Sequence, residues 1–272
     1  MALAKTNGIN LYYEEHGEGD PLLLIMGITA PGSVWEKHLN DWKKYFRCIV
    51  VDNRGVGNSD KPDGDYTTAQ MADDYIGLLD FLGIQKIKVV GVSMGSTIAQ
   101  QLCLRDQKRV QAAVLMCPWA RCDRAAEAIF RHMVAIKGAL PPNEFMRYIQ
   151  LLIFSKASWD KAEVYEEMLQ ARQDALTDPN PQPLRALASQ AAACIQHDLL
   201  NELPKIKQPC LVIGGKEDIF TPPWMAHEVA NAIPHCQLHL YEKSGHAFHW
   251  ENMDDFNVRV KDWIRQIGRA HV

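Results

Sequence analysis

A chain of 272 residues is long enough for one large domain, or for one domain carrying a sizeable insertion. Hydrophobic residues make up 47% of it, enough to fill a core, which excludes wholesale disorder. The net charge of −4, with no long run of either sign, argues against nucleic acid and anionic membranes as partners.

Residues 3–6 and 9–14 flank Asn7-Gly8, a two-residue turn signal, and predict a β-hairpin. Short apolar runs follow at 22–26, 48–51, 87–90, 113–116, 210–213 and 237–241. They are nearly continuous in apolar character, as strands buried on both faces should be. Helical patterns lie between them. One spans 67 to about 82, where Thr67 and Gln70 have the spacing of a capping box; another runs from 94 to about 104. The alternation predicts a mostly parallel sheet covered on both faces. It breaks between 119 and 198, a stretch of helical pattern in which Ile129, Phe130, Met133 and Ile136, then Phe145, Tyr148, Ile149 and Leu152, recur near helical spacing. That stretch separates two βα halves, each incomplete alone. A helical cap over 119–198 is therefore expected, inserted into a core of 1–118 and 199–267, with 268–272 as a tail.

No apolar run approaches the roughly 18 residues that span a bilayer. The first five residues lack the apolar stretch of a signal peptide, so the expected location is cytoplasmic. The seven cysteines are odd in number and without a C-x-x-C, and several sit in apolar runs. They are expected to be buried, reduced thiols rather than disulfides or metal ligands.

Gly91-Val92-Ser93-Met94-Gly95 follows a strand-like run and precedes a helical pattern, the context that a G-x-S-x-G nucleophile motif requires. The tight turn strains the serine backbone and projects its oxygen at a helix N-terminus, where the helix dipole favours developing negative charge. A serine hydroxyl needs a base. His246, in a loop directly after the last strand-like run, is the best of ten histidines, and His249 is its main competitor. Asp218, in the segment after run 210–213, is the candidate acid, with Glu217 as its rival. The order Ser93, Asp218, His246 places all three at the carboxyl ends of strands. The expected oxyanion donors are the backbone N–H groups of Met94 and Ile28, with Gly27 as the alternative to Ile28.

These segments resemble the α/β-hydrolase superfamily over nearly the whole chain. The matching pieces are Met26-Gly27, the stretch from Asp52 to Ser59, the Ser93 turn, Gly215 to Asp218, and Gly245-His246 with Glu251 downstream. Within that superfamily the chain is most similar to small bacterial carboxylesterases, 3-oxoadipate enol-lactone hydrolases and cofactor-free haloperoxidases. The resemblance implies an α/β-hydrolase fold with a mostly parallel eight-stranded sheet and an inserted helical cap. It also implies a Ser–His–Asp mechanism through an acyl-enzyme, with no metal or organic cofactor. It gives Arg54 a structural role in bracing the oxyanion loop. Two departures stand out. Met26 replaces a histidine usual in the family, so that residue's loop-bracing contacts are expected to be missing, and Ser96 stands where many relatives have glycine.

The expected function is hydrolysis of small to medium, mainly hydrophobic carboxylic esters. The expected pocket wall comprises Met26, Trp119, Phe130, Met133, Phe145, Tyr148 and Leu152, with Phe154 and Trp159 as further contributors. Lactone hydrolysis or perhydrolysis at the same triad is the alternative chemistry, and a slow-turnover ligand receptor of the same fold is an alternative of another class. The expected partner is a small-molecule ester, and the oligomeric state is open.

Overall fold

A computed structural model describes residues 2–269, with side chains through 267. The chain opens with β1 (Ala2–Thr6) and β2 (Ile9–His16), paired antiparallel with Thr6 opposite Ile9. Asn7 (φ 45°) and Gly8 (φ 78°) are both left-handed, the conformation that matches the twist of a two-residue hairpin. Then come β3 (Asp20–Ile25), α1 (Glu36–Trp42), β4 (Phe46–Val51), α2 (Thr68–Phe81), β5 (Ile87–Val92), α3 (Met94–Arg105) and β6 (Val110–Met116). Thr67 caps α2 by accepting from the Gln70 N–H at 3.0 Å. That is one half of the expected capping box, and the Gln70 side chain makes no return bond among the described residues.

Five helices occupy the interval before the next strand: α4 (Arg124–Ala139), α5 (Pro142–Ile153), α6 (Lys156–Trp159), α7 (Ala162–Thr177) and α8 (Leu184–Ile195). The two ends of the interval meet where Arg121 bridges Asp198 and the Leu199 N–H donates to the Ala120 carbonyl at 2.8 Å. The chain closes with β7 (Cys210–Gly215), α9 (Pro223–Ala232), β8 (Cys236–Tyr241), the short α10 (Phe248–Glu251) and α11 (Met253–Arg269). Helix α11 thus continues two residues past the expected helix end at 267. The rest of the expected tail, 270–272, lies outside the described residues.

The eight strands form one sheet in the order β1-β2-β4-β3-β5-β6-β7-β8, parallel from β4 to β8. Successive residues of β3 feed opposite faces. Leu23 and Ile25 join the core under α2, α3, α9 and the inserted helices, while Leu22 and Leu24 join the core under α1 and α11. Phe256, Val260, Trp263 and Ile264 give α11 the one-sided spacing that seals the second core. Strand β3 lies between β4 and β5, so the winding direction reverses there. A crevice opens outside the carboxyl ends of β3 and β5, the place where open α/β sheets bind ligands. Among the described residues no helix is long and apolar enough to cross a membrane.

All seven cysteines are free thiols; five are buried and Cys122 and Cys236 are half-buried. Burial pushes the Cys48 thiol up to about 12.

Two buried histidines make stability depend on pH. His197 sits between Thr68 of α2 and Gln100 of α3, and His38 lies under α11. Desolvation lowers His197 to about 3 and His38 to about 4. Both folded values lie below the unfolded value of about 6.5. Below pH 6.5 the unfolded chain therefore binds protons that the folded chain refuses, and stability is lost as pH falls through that window, at up to about 1.4 kcal/mol per pH unit for each proton. Urea unfolding of His197→Gln between pH 7 and pH 4 should give a shallower decline than the parent. Parallel declines would contradict the assignment.

Candidate active site

Ser93 joins β5 to α3 with φ 55° and ψ −122°, a sparsely populated backbone conformation. The bend is held by its N–H donating to the Met116 carbonyl at 2.8 Å and its carbonyl accepting from the Ser96 N–H at 2.8 Å. The flanking glycines are required by close approach. A Cβ on Gly95 would lie 2.2 Å from the Ile25 carbonyl oxygen of β3, and one on Gly91 would lie 2.2 Å from the Gly95 oxygen. Ser96 turns inward, its Oγ donating to the Ser93 carbonyl at 2.6 Å, so this departure from glycine tightens the first turn. Ser93 Oγ is buried and has no hydrogen-bond partner among the described residues.

The loops after β7 and β8 bring the two other predicted groups together. His246 Nδ1 lies 2.7 Å from Asp218 Oδ2, with both residues buried. Asp218 is itself fixed: Oδ1 accepts from the N–H groups of Phe220 (2.8 Å) and Thr221 (2.9 Å), and Oδ2 accepts from Thr221 Oγ1 (2.9 Å). With three donors besides the imidazole, the carboxylate is held as an acceptor. The His246 Nδ1–H donates to it, and Nε2 is left with a lone pair. Ser93 and His246 line the same cavity. Glu217 is exposed at the surface. His249 stands apart from Asp218; its Nδ1 faces His38 Nε2 at 3.0 Å.

Gly27 packs directly under the serine, where a Cβ would sit 3.2 Å from Ser93 Cβ. Two groups lie beside Ser93 with uncommitted N–H donors. Met94 is the first residue of α3, so its N–H has no partner within the helix. The Ile28 N–H makes no hydrogen bond among the described residues. The loop that carries Ile28 is braced in spite of Met26. Asn53 Nδ2 donates to the Met26 carbonyl at 2.9 Å, and Tyr75 holds Asn53 Oδ1 at 2.7 Å. Gln190 of α8 accepts from the Thr29 N–H at 3.0 Å and donates to the Arg54 carbonyl at 2.9 Å. The bracing expected to be missing is therefore supplied by other residues. Arg54 is buried in an ion pair with Asp74, away from the cavity.

The cavity has a volume of about 670 Å³, with the Ser93 crevice as its floor and residues of α4, α5 and α7 in its walls. Of the expected pocket residues, Met26, Met133 and Leu152 line it, as does Phe154. Trp119, Phe130, Phe145, Tyr148 and Trp159 do not. Trp119 packs on Phe130 (centroids 5.8 Å) and His197 (6.2 Å), and Phe130 backs Phe220 at 5.3 Å. Phe220 lines the cavity and rests on the His246 ring at 5.0 Å, so Phe130 acts one layer behind. Phe145 lies under Lys137, Tyr148 meets His132 edge-on, and Trp159 lies under Arg172. The cause is a rotation on α5. Its cavity-lining residues are Met146, Ile149, Gln150, Leu152 and Ile153, a stripe centred to one side of Phe145 and Tyr148. Both stripes are largely apolar, so spacing alone does not tell which one meets the cavity.

Cys117 Sγ, an Asp218 oxygen and a His246 nitrogen lie within 4.8 Å of one another, the only such grouping among the described residues. It does not fit a metal. Asp218 and His246 are already engaged with each other, and burial with the nearby Asp218 charge pushes the Cys117 thiol well above its ordinary value. A metal-binding cysteine must be a thiolate. Sequence reasoning missed Thr221, Asn53, Tyr75 and Gln190. Asn53 sits inside the Asp52–Ser59 segment already singled out, whereas Gln190 gives no signal of its own.

A strained serine at a strand–helix turn and an imidazole oriented by a carboxylate thus line one cavity, groups of the kind a hydrolase uses. Residues 20–253 match the family described as the alpha/beta hydrolase fold, and the chain belongs to that family. It is 32% identical over 264 residues to BpoC of Mycobacterium tuberculosis, which carries the name of a non-heme bromoperoxidase; the match covers 95% of this chain and 99% of that one. Solved structures similar to it include a thermophilic esterase from Thermogutta terrifontis (TM-score 0.86, 26% identity, 98% of each chain). The enol-lactonase from Burkholderia xenovorans LB400 is also similar (TM-score 0.87, 26% identity, 97% of this chain and 100% of that one).

Proposed function

We propose that the protein is a serine carboxylesterase acting on small to medium, mainly hydrophobic esters. The observation that carries this reading is the 2.7 Å His246–Asp218 contact, with His246 lining the same cavity as Ser93, whose Oγ is unpartnered among the described residues. In the proposed reaction His246 Nε2 takes the Ser93 proton as Oγ attacks the ester carbonyl. The tetrahedral oxyanion is met by the N–H groups of Ile28 and Met94. His246 then returns the proton to the leaving alcohol. A water deprotonated by His246 attacks the acyl-enzyme, and the acid departs as Ser93 recovers its proton. Apolar side chains such as Met26, Met133, Ile149 and Leu152 dominate the walls, which favours uncharged acyl and alcohol groups.

Lactone hydrolysis uses the same steps with a tethered leaving group, and the similarity to the Burkholderia enol-lactonase favours it as the second reading. A fluorophosphonate probe tests the nucleophile. One equivalent should attach to the peptide containing Ser93 and abolish nitrophenyl butyrate hydrolysis. Active protein that stays unlabelled at Ser93 would exclude it. Many turnovers per protein on the same ester would separate an enzyme from a slow-turnover receptor.

A further inference from the structure

We infer that His249 is a substrate-selecting residue: its Nε2 is a hydrogen-bond acceptor in the wall of the cavity, and the preferred substrate carries a matching hydroxyl or amide N–H. This rests on the ester-hydrolysis reading above and names the substrate class within it.

His249 serves neither Ser93 nor Asp218, and it lies in the cavity wall three residues beyond His246. Its tautomer is set by a chain running back into the core. Asn257 Oδ1 lies 2.6 Å from His38 Nδ1, so that nitrogen carries the hydrogen. His38 Nε2 is then a lone pair, and it accepts from His249 Nδ1 at 3.0 Å. The hydrogen on His249 is thereby fixed at Nδ1, and Nε2 is left as an acceptor. That nitrogen has no hydrogen-bond partner among the described residues, and the residue it belongs to lines the cavity. Packing holds the ring in place. Trp250 lies 4.5 Å from it, with Phe248 and Phe256 at 5.8 and 5.9 Å and Trp35 at 6.2 Å. Burial and the neighbouring His38 keep the imidazole uncharged near neutral pH, so it does not become a donor there.

A buried acceptor in the wall of a mostly apolar chamber discriminates by what it leaves unpaired. An ester with a hydroxyl or amide N–H in reach satisfies it, whereas the plain hydrocarbon isostere strips water from Nε2 and gives nothing back. Carboxylates and ketones carry no donor and gain nothing there.

The test compares matched esters that differ by one hydroxyl or one amide, placed at successive positions along the acyl and alcohol chains. Wild-type protein should hydrolyse at least one donor-bearing ester with kcat/KM about tenfold above its plain isostere. His249→Phe should bring that ratio to about one. The ratio is the readout, so a general loss of activity in the variant does not enter. A second measurement needs no variant. 15N NMR of histidine-labelled protein should show His249 Nε2 as pyridine-like and Nδ1 as pyrrole-like. No preference at any position, a preference that survives His249→Phe, or the opposite tautomer would each overturn the inference. Failure of the ester reading looks different: neither member of any pair would be turned over.

Discussion

Ser93→Ala should lower kcat for a simple ester by about six orders of magnitude, to a residual rate still above that of water. Loss of this size is expected because in the proposed mechanism the serine, the base and the acid act as a unit. Without Oγ there is no acyl-enzyme, and the lone pair on His246 Nε2 can only assist direct attack by water. On the proposed mechanism the residual rate would come from the parts that remain, the Ile28 and Met94 N–H groups and the mostly apolar chamber. The substitution isolates chemistry from folding unusually well. Among the described residues Ser93 Oγ makes no hydrogen bond, so its removal orphans none of their groups. Alanine meets the same backbone strain at φ 55° as serine does. The unfolding midpoint should therefore stay close to that of the parent while turnover collapses. Retention of turnover within tenfold of the parent would end the case for Ser93 as nucleophile. A collapsed midpoint would instead show that the variant had lost the fold.

Sequence legibility followed how local the cause of each feature is. The opening hairpin was readable because Asn7 and Gly8 alone determine a left-handed pair. The buried strands were readable because a strand covered on both faces has to be apolar throughout. The Ser93 turn was readable because it needs small residues at fixed offsets, and Ile25 and Gly95 show the close contact that demands them. What stayed hidden depends on how distant segments are turned toward each other. Helix α5 has two adjoining apolar stripes, and only its seat against α7 and the core decides that Ile149 and Ile153 meet the cavity while Phe145 does not. Gln190 braces Thr29 across 161 residues of chain, a link that no local pattern announces. The same holds for the relay behind His249, since His38 and Asn257 come from helices at opposite ends of the chain.

Arg54→Met should destabilise the protein by about 3–5 kcal/mol, a large share of the 5–15 kcal/mol that holds a typical domain folded. Arg54 and Asp74 form a two-pronged ion pair with side chains only 3% and 2% exposed. The guanidinium also lies 5.4 Å over Tyr66, and Asp74 accepts from Asn7 Nδ2 at 2.8 Å. Removing the arginine leaves the carboxylate buried with only the Asn7 amide to answer it. Desolvation already raises the Asp74 pKa against the pull of Arg54, so loss of Arg54 raises it further. The folded value then exceeds the unfolded one, and protonation favours the folded state. The deficit of Arg54→Met relative to the parent should therefore shrink as pH falls through the raised Asp74 value. Urea unfolding at pH 7 and pH 5 would measure it. Adding Asp74→Leu should recover most of the loss, because an apolar pair of similar volume needs no desolvation. A difference below about 0.5 kcal/mol for Arg54→Met, the range of ordinary surface substitutions, would show that the pair does not hold the Arg54 segment onto α2. Turnover measured where the variant is folded should stay near that of the parent, since Arg54 does not border the cavity. That separation of stability from turnover is what distinguishes a structural arginine from a catalytic one.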